Sequence, residues 1–77
     1  MEIKILGGNC TNCRALEKAA REAVSQSGVK ASVVKVQDMN EIVKYGIMRT
    51  PALVVDEKVL SYGRVLSVSE IRELTGI

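Results

Sequence analysis

The chain contains no histidine. That absence removes Cys-His nucleophilic catalysis, histidine-ligated metal sites and the usual general base at neutral pH. Phenylalanine and tryptophan are missing too, and there are only two tyrosines. Apolar residues still fill 47% of the 77 positions, so a core has to be assembled from Ile, Val, Leu, Ala and Met. No apolar run approaches the roughly 18 residues of a membrane span, and nothing like a signal peptide precedes the first apolar segment. A cytoplasmic setting without membrane contact is therefore expected. Charge of one sign is lacking as well: 11 basic and 9 acidic residues are interspersed, for a net charge of +2. With no basic cluster interleaved with aromatics, nucleic acid is a poor candidate partner. A chain this short is expected to form one domain over 1–77, burying only about 60% of its unfolded surface.

What is present in small number is informative. There is one proline, Pro51, and there are two cysteines, Cys10 and Cys13, three apart in the stretch Gly8-Asn9-Cys10-Thr11-Asn12-Cys13. In a reducing compartment a disulfide framework is improbable, so a lone CxxC points to redox or metal chemistry. The stretch sits where a short apolar strand runs into a long helix. A helix N-terminus carries about half a positive charge in exposed N–H groups, which favours a thiolate and lowers the pKa of the first cysteine. The second cysteine, one turn on, is close enough to close a disulfide with the first.

Along the chain, EIKIL alternates over Glu2–Leu6 with Ile3 and Ile5 on one face, a strand pattern. Gly7-Gly8-Asn9 forms a flexible turn into the cysteines. A helix follows over Thr11–Ser27, with Cys13, Leu16, Ala20, Ala23, Val24 and Ser27 on its inner stripe. That stripe places Cys13 facing in and Cys10 at the exposed tip. Glu17 and Arg21 make a favourable i,i+4 pair, and Gly28 is a natural stop. A second strand over 30–37 is reached through the helix and so runs parallel to the first. Asp38, with Glu41 three residues on, caps a short helix that carries Met39, Ile42 and Val43 and ends at Gly46. A third strand covers Ala52–Val55, and a short turn leads to an antiparallel fourth over 59–62. Ser67-Val68-Ser69-Glu70 is a capping box that opens a last helix with Ile71 and Leu74 inward. The order is βαβαββα.

That order, with CxxC after the first strand and Thr50-Pro51 before the third, resembles the minimal thioredoxin fold. More narrowly, KILGGNCTNC, Val36-Gln37-Asp38, YGIMRTPALVV and Gly63-Arg64 resemble the small thioredoxin-like redox-disulfide proteins of archaea and bacteria. The resemblance spans essentially the whole chain. It implies an α/β fold with a four-stranded mixed sheet and helices on both faces, and a monomeric thiol–disulfide oxidoreductase without a cofactor. By the same resemblance Cys10 is the attacking thiolate and Cys13 the resolving thiol. Pro51 is cis and lies against the disulfide, and the N–H and C=O of Thr50 pair with an extended substrate segment. Gly63 lets that segment approach closely, and Asn9, Thr11 and Asn12 border it. Implied partners are protein disulfides, or low-molecular-weight ones, and a recycling reductase.

The chain also departs from thioredoxins. Thr11-Asn12 replaces their Gly-Pro between the cysteines, and Asn9 stands where an aromatic often precedes the first. Lys4 occupies the position of a buried acid that relays the second thiol's proton. A cation there would stabilise a thiolate without acting as a base, which leaves the proton to water or a partner group. Two competing readings keep CxxC without this chemistry. One is a Cu(I) carrier of ferredoxin-like βαββαβ order, to which two thiolates are suited. The other is a redox-inert binding module. Arg49, Arg64 and Lys35 are either solvated charges or a basic rim selecting acidic substrates or glutathione.

Overall fold

The computed structural model of the chain describes residues 1–8 and 10–77. Its elements are β1 Glu2–Leu6, α1 Thr11–Ser27, β2 Ser32–Val36, α2 Met39–Lys44, β3 Ala52–Val55, β4 Lys58–Tyr62 and α3 Val68–Thr75. The strands form one mixed sheet in the order β2-β1-β3-β4. β1 is parallel to β2, as a crossover through α1 requires, and antiparallel to β3, which is antiparallel to β4. This is the minimal α/β architecture that the resemblance implies. The helix between the second and third strands removes the βαββαβ order that a ferredoxin-like metal carrier needs.

Alternation along β1 divides the core between two faces of the sheet. Ile3 and Ile5 point to one face and pack with Leu16, Ala20 and Ala23 of α1, Leu53 of β3 and Ile71 of α3. Leu6 turns to the other face, where Ile42 of α2, Ala52 and Val54 form a smaller cluster. Helices therefore cover both faces, α1 and α3 thickly and α2 thinly. The small side chains Ala20 and Ala23 leave room for α3 to pack against α1.

Local chemistry sets the element ends. Gly28, at φ 71°, donates its N–H to the Val24 carbonyl and stops α1. The Ser67–Glu70 capping box is complete at the start of α3. At α2 the Asp38 carboxylate accepts the Asn40 N–H at 2.9 Å, but Glu41 does not turn back to complete the expected pattern. It pairs instead with Lys44 at 3.2 Å. Leu74 is also a departure: expected to face inward, it is 50% exposed near the end of α3, whose core contacts come from the buried Ile71 and the partly buried Val68. The β3–β4 turn holds Asp56 and Glu57 at positive φ, 48° and 70°, the backbone twist that a two-residue hairpin favours.

Candidate active site

β1 ends with Leu6 paired to both Val36 and Ala52, and the Gly7 N–H donates to the Val36 carbonyl at 2.9 Å. The chain leaves the sheet from this pinned point and enters α1 at Cys10. Cys10 is the N-cap of that helix, with extended backbone at φ −76° and ψ 160°. Its carbonyl accepts the Arg14 N–H at 3.0 Å, and its Sγ accepts the Cys13 N–H at 3.1 Å. Cysteine thus fills the capping position usually given to Ser, Thr, Asn or Asp. Cys10 and Cys13 are joined as a disulfide, with Cα atoms 5.1 Å apart. No acidic residue lies in the first turn of α1 to oppose a negative charge on the cap.

The two sulfurs have unequal environments. Cys13 is 1% exposed within the apolar stripe of α1, whereas Cys10 is exposed at the helix tip. Thr11 and Asn12 are exposed in the same turn. Asn9 lies outside the described residues.

Across from the helix tip, the Thr50–Pro51 peptide bond is cis. Pro51 is buried and its carbonyl accepts the Gly63 N–H at 2.9 Å, which ties β4's exit to the loop before β3. Thr50 is exposed. Gly7 lies between the two halves of the site. A Cβ at Gly7 would stand 2.6 Å from Cys13 Sγ and 3.6 Å from Thr50 Cβ. The fold therefore brings Cys13, Gly7 and Thr50 together, with Cys10 bonded to Cys13. Sequence reasoning assigned Gly7 only a flexible turn; the available signal was a glycine pair just ahead of a CxxC.

Two expected site residues make further contacts of their own. The alternation that points Ile3 and Ile5 toward α1 points Lys4 to the opposite face. There its ammonium donates to the Glu57 carboxylate and to the Tyr45 hydroxyl at 3.0 Å. Tyr45 in turn donates to the second Glu57 oxygen at 3.0 Å, and Glu2 adds a contact at 3.6 Å. Glu57 follows Val55, which pairs with Ile3, so the ammonium is drawn toward the sheet end remote from the cysteines. Hydrogen bonding to Glu57, then to Tyr45, holds Lys4 protonated well above its usual range. The same bonds hold the Glu57 carboxyl below its own. These bonds make Lys4 a tie between β1 and the hairpin. Gly63, at φ 74°, does admit a close approach, but from Arg49: a Cβ there would meet Arg49 Cβ at 3.2 Å and Cδ at 3.3 Å.

Arg49 and Gly63 line an open groove of about 660 Å³ with Ile47, Met48 and Tyr62. Met48 is 96% exposed at its lip. Of the other basic residues singled out, Arg64 pairs with Glu70 at 2.6 Å and Lys35 lies 3.9 Å from Glu17. Among the described residues no group of three or more His, Cys, Asp or Glu is placed to hold a metal ion. No helix among them is long and apolar enough to cross a membrane.

Comparison with known proteins agrees with this geometry. A family model described as thioredoxin domain matches residues 1–76. The chain is 42% identical over 74 residues to a protein named thioredoxin from Methanothermobacter thermautotrophicus, covering 96% of each chain. It is 35% identical over 71 residues to another so named from Methanocaldococcus jannaschii, covering 92% of this chain and 81% of that one.

Proposed function

This chain belongs to the thioredoxin domain family and is a thiol–disulfide oxidoreductase, and we propose that Cys10 is its attacking thiol and Cys13 its resolving thiol. In the reduced protein the Cys10 thiolate attacks one sulfur of a substrate disulfide. A Cys10–substrate disulfide forms, and the other substrate sulfur leaves as a thiolate. Cys13 then gives up its proton and attacks the Cys10 sulfur, which expels the second substrate sulfur. The substrate has gained two electrons, and the enzyme is left with the Cys10–Cys13 disulfide.

The observation that carries this division is the unequal exposure of the pair at the α1 N-terminus. Cys10 is open to solvent and caps the helix, while Cys13 is 1% exposed and meets a mixed disulfide only from inside. The Cys13 N–H aimed at Cys10 Sγ favours the thiolate form of that sulfur. With Lys4 committed to Glu57 and Tyr45, no side chain of β1 takes the Cys13 proton. It passes to water or to the departing substrate thiolate.

Thr50 supplies the recognition edge. It is exposed and lies beside Gly7 and the disulfide. Its N–H and C=O are suited to pair with an extended substrate strand, alongside Thr11 and Asn12 and opposite the Arg49–Gly63 wall. The substrates are protein disulfides, and a separate reductase restores the dithiol. The chain works as one monomeric domain over 1–77 in a reducing cytoplasm.

The test is trapping. Cys13→Ser leaves the first step intact and blocks resolution, so it should hold a protein partner as a mixed disulfide, whereas Cys10→Ser should hold none. Equal trapping by both variants would sink the assignment. Stoichiometric Cu(I) uptake abolished by either substitution, without dithiol-dependent disulfide reduction, would favour a metal carrier.

A further inference from the structure

Gly7 is buried, its N–H is tied to Val36, and its φ of 151° lies where L side chains are disfavoured. The space a side chain would need is already occupied. A Cβ there would lie 2.6 Å from Cys13 Sγ, closer than non-bonded atoms approach, and 3.4 Å from Cys13 Cβ. The sulfur is therefore the atom that would have to move.

Whether it can move depends on redox state. In the dithiol, Cys13 Sγ is the free end of a side chain and can rotate about Cα–Cβ. In the disulfide it is bonded to Cys10, whose backbone is fixed as the N-cap of α1. Gly7 cannot retreat either, because Leu6 is paired on both sides. The backbone cost of the positive φ, in contrast, is common to both states and cancels in their difference.

We propose that Gly7 is a positioning residue that sets the redox poise of this enzyme, by leaving open the space that Cys13 Sγ must occupy when the disulfide closes. A side chain at this position raises the free energy of the disulfide more than that of the dithiol, so the pair becomes easier to reduce. Overpacking at a confined site typically costs about 1–3 kcal/mol, which corresponds to a shift of roughly 5- to 150-fold in the thiol–disulfide equilibrium. The inference rests on the Cys10–Cys13 pair being the redox centre.

The experiment equilibrates wild type and Gly7→Ala in glutathione buffers and reads the dithiol fraction by alkylation and mass spectrometry. The expected result is that Gly7→Ala requires at least about fivefold more oxidising buffer to close its disulfide, a rise of about 20 mV or more in reduction potential. Urea denaturation of both redox forms supplies a second, linked measurement. The oxidised variant should lose more stability than the reduced one, by an amount equal to the potential shift. In a Cys13→Ala background the sulfur is gone, so Gly7→Ala should cost only what it costs the reduced protein. If the variant folds poorly, trimethylamine N-oxide is added to all samples to hold the compact state. An unchanged glutathione equilibrium, or an equal loss in oxidised, reduced and Cys13→Ala proteins, overturns the proposal. A wild type whose disulfide exchanges neither with glutathione nor with dithiothreitol would instead overturn the redox assignment itself.

Discussion

Alkylation of the reduced protein should separate the two thiols sharply, and the structure supplies the size of the effect. Cys10 is exposed, and its sulfur faces a helix N-terminus, worth about 0.3–1 kcal/mol to an exposed anion. Its bond from the Cys13 N–H becomes charge-assisted when the sulfur ionises, which adds about 1 kcal/mol. Together these raise the thiolate-to-thiol ratio about 9- to 30-fold over a free cysteine. Intrinsic nucleophilicity falls as the thiolate becomes more stable, so the net gain in rate is only about three- to sixfold. Cys13, 1% exposed, reacts only after the first turn of α1 opens. An opening cost of about 1.4 kcal/mol alone slows it tenfold. Cys10 should therefore outpace Cys13 with iodoacetamide by about 30-fold or more, combining the two factors. Quenched reaction at neutral pH, with each site quantified by peptide mass spectrometry, measures the ratio directly. Comparable rates, or a faster Cys13, would refute the reasoning from burial and capping.

Further predictions concern the framework that holds the site. Glu57 and Glu70 have carboxyls held below their ordinary value of 4.5, Glu57 first by the Lys4 ammonium and Glu70 first by the Ser67 backbone N–H. A depressed folded-state value means that each contributes stability above pH 4.5, lost as pH falls through the lower folded value. Urea midpoints followed downward from that pH should fall less steeply in Glu57→Gln and in Glu70→Gln than in wild type; parallel curves would contradict the assigned bonds. Leu53 is fully buried between β1 and the helices, so Leu53→Ala should cost about 2–5 kcal/mol in urea unfolding. Leu74→Ala, at a half-exposed site, should cost well under about 1 kcal/mol by the same assay. A similar loss at both positions would mean that the end of α3 is packed differently.

The legible parts of this fold were those encoded by local periodicity and by end signals. Alternation in EIKIL, the stripe from Cys13 to Ala23 and the stop at Gly28 placed β1, α1 and the inward and outward sulfurs. Contacts across long separations were not legible. Glu57 lies 53 residues from Lys4, and only the hairpin register brings its carboxylate to that ammonium. Position in the sequence suggested that Lys4 would serve the thiols; the strand's own alternation sends it to the other face. Gly7 was ambiguous for a different reason. A glycine has no side chain whose character announces a role, and its importance lies in the volume that a neighbour occupies. The bulge between Leu53 and Val54, which adds a residue to β4, likewise leaves no mark in composition.

The uneven covering of the sheet has a consequence for how this protein meets its clients. The disulfide rides on α1, which buries Cys13, Leu16, Ala20 and Ala23, whereas the opposite wall of the cleft follows a six-residue α2 in which only Ile42 is buried. One side is packed broadly into the core and the other thinly. Fixed sulfur positions thus come from the broadly packed side of the cleft, and any adjustment to a bound polypeptide would fall to the thinner one.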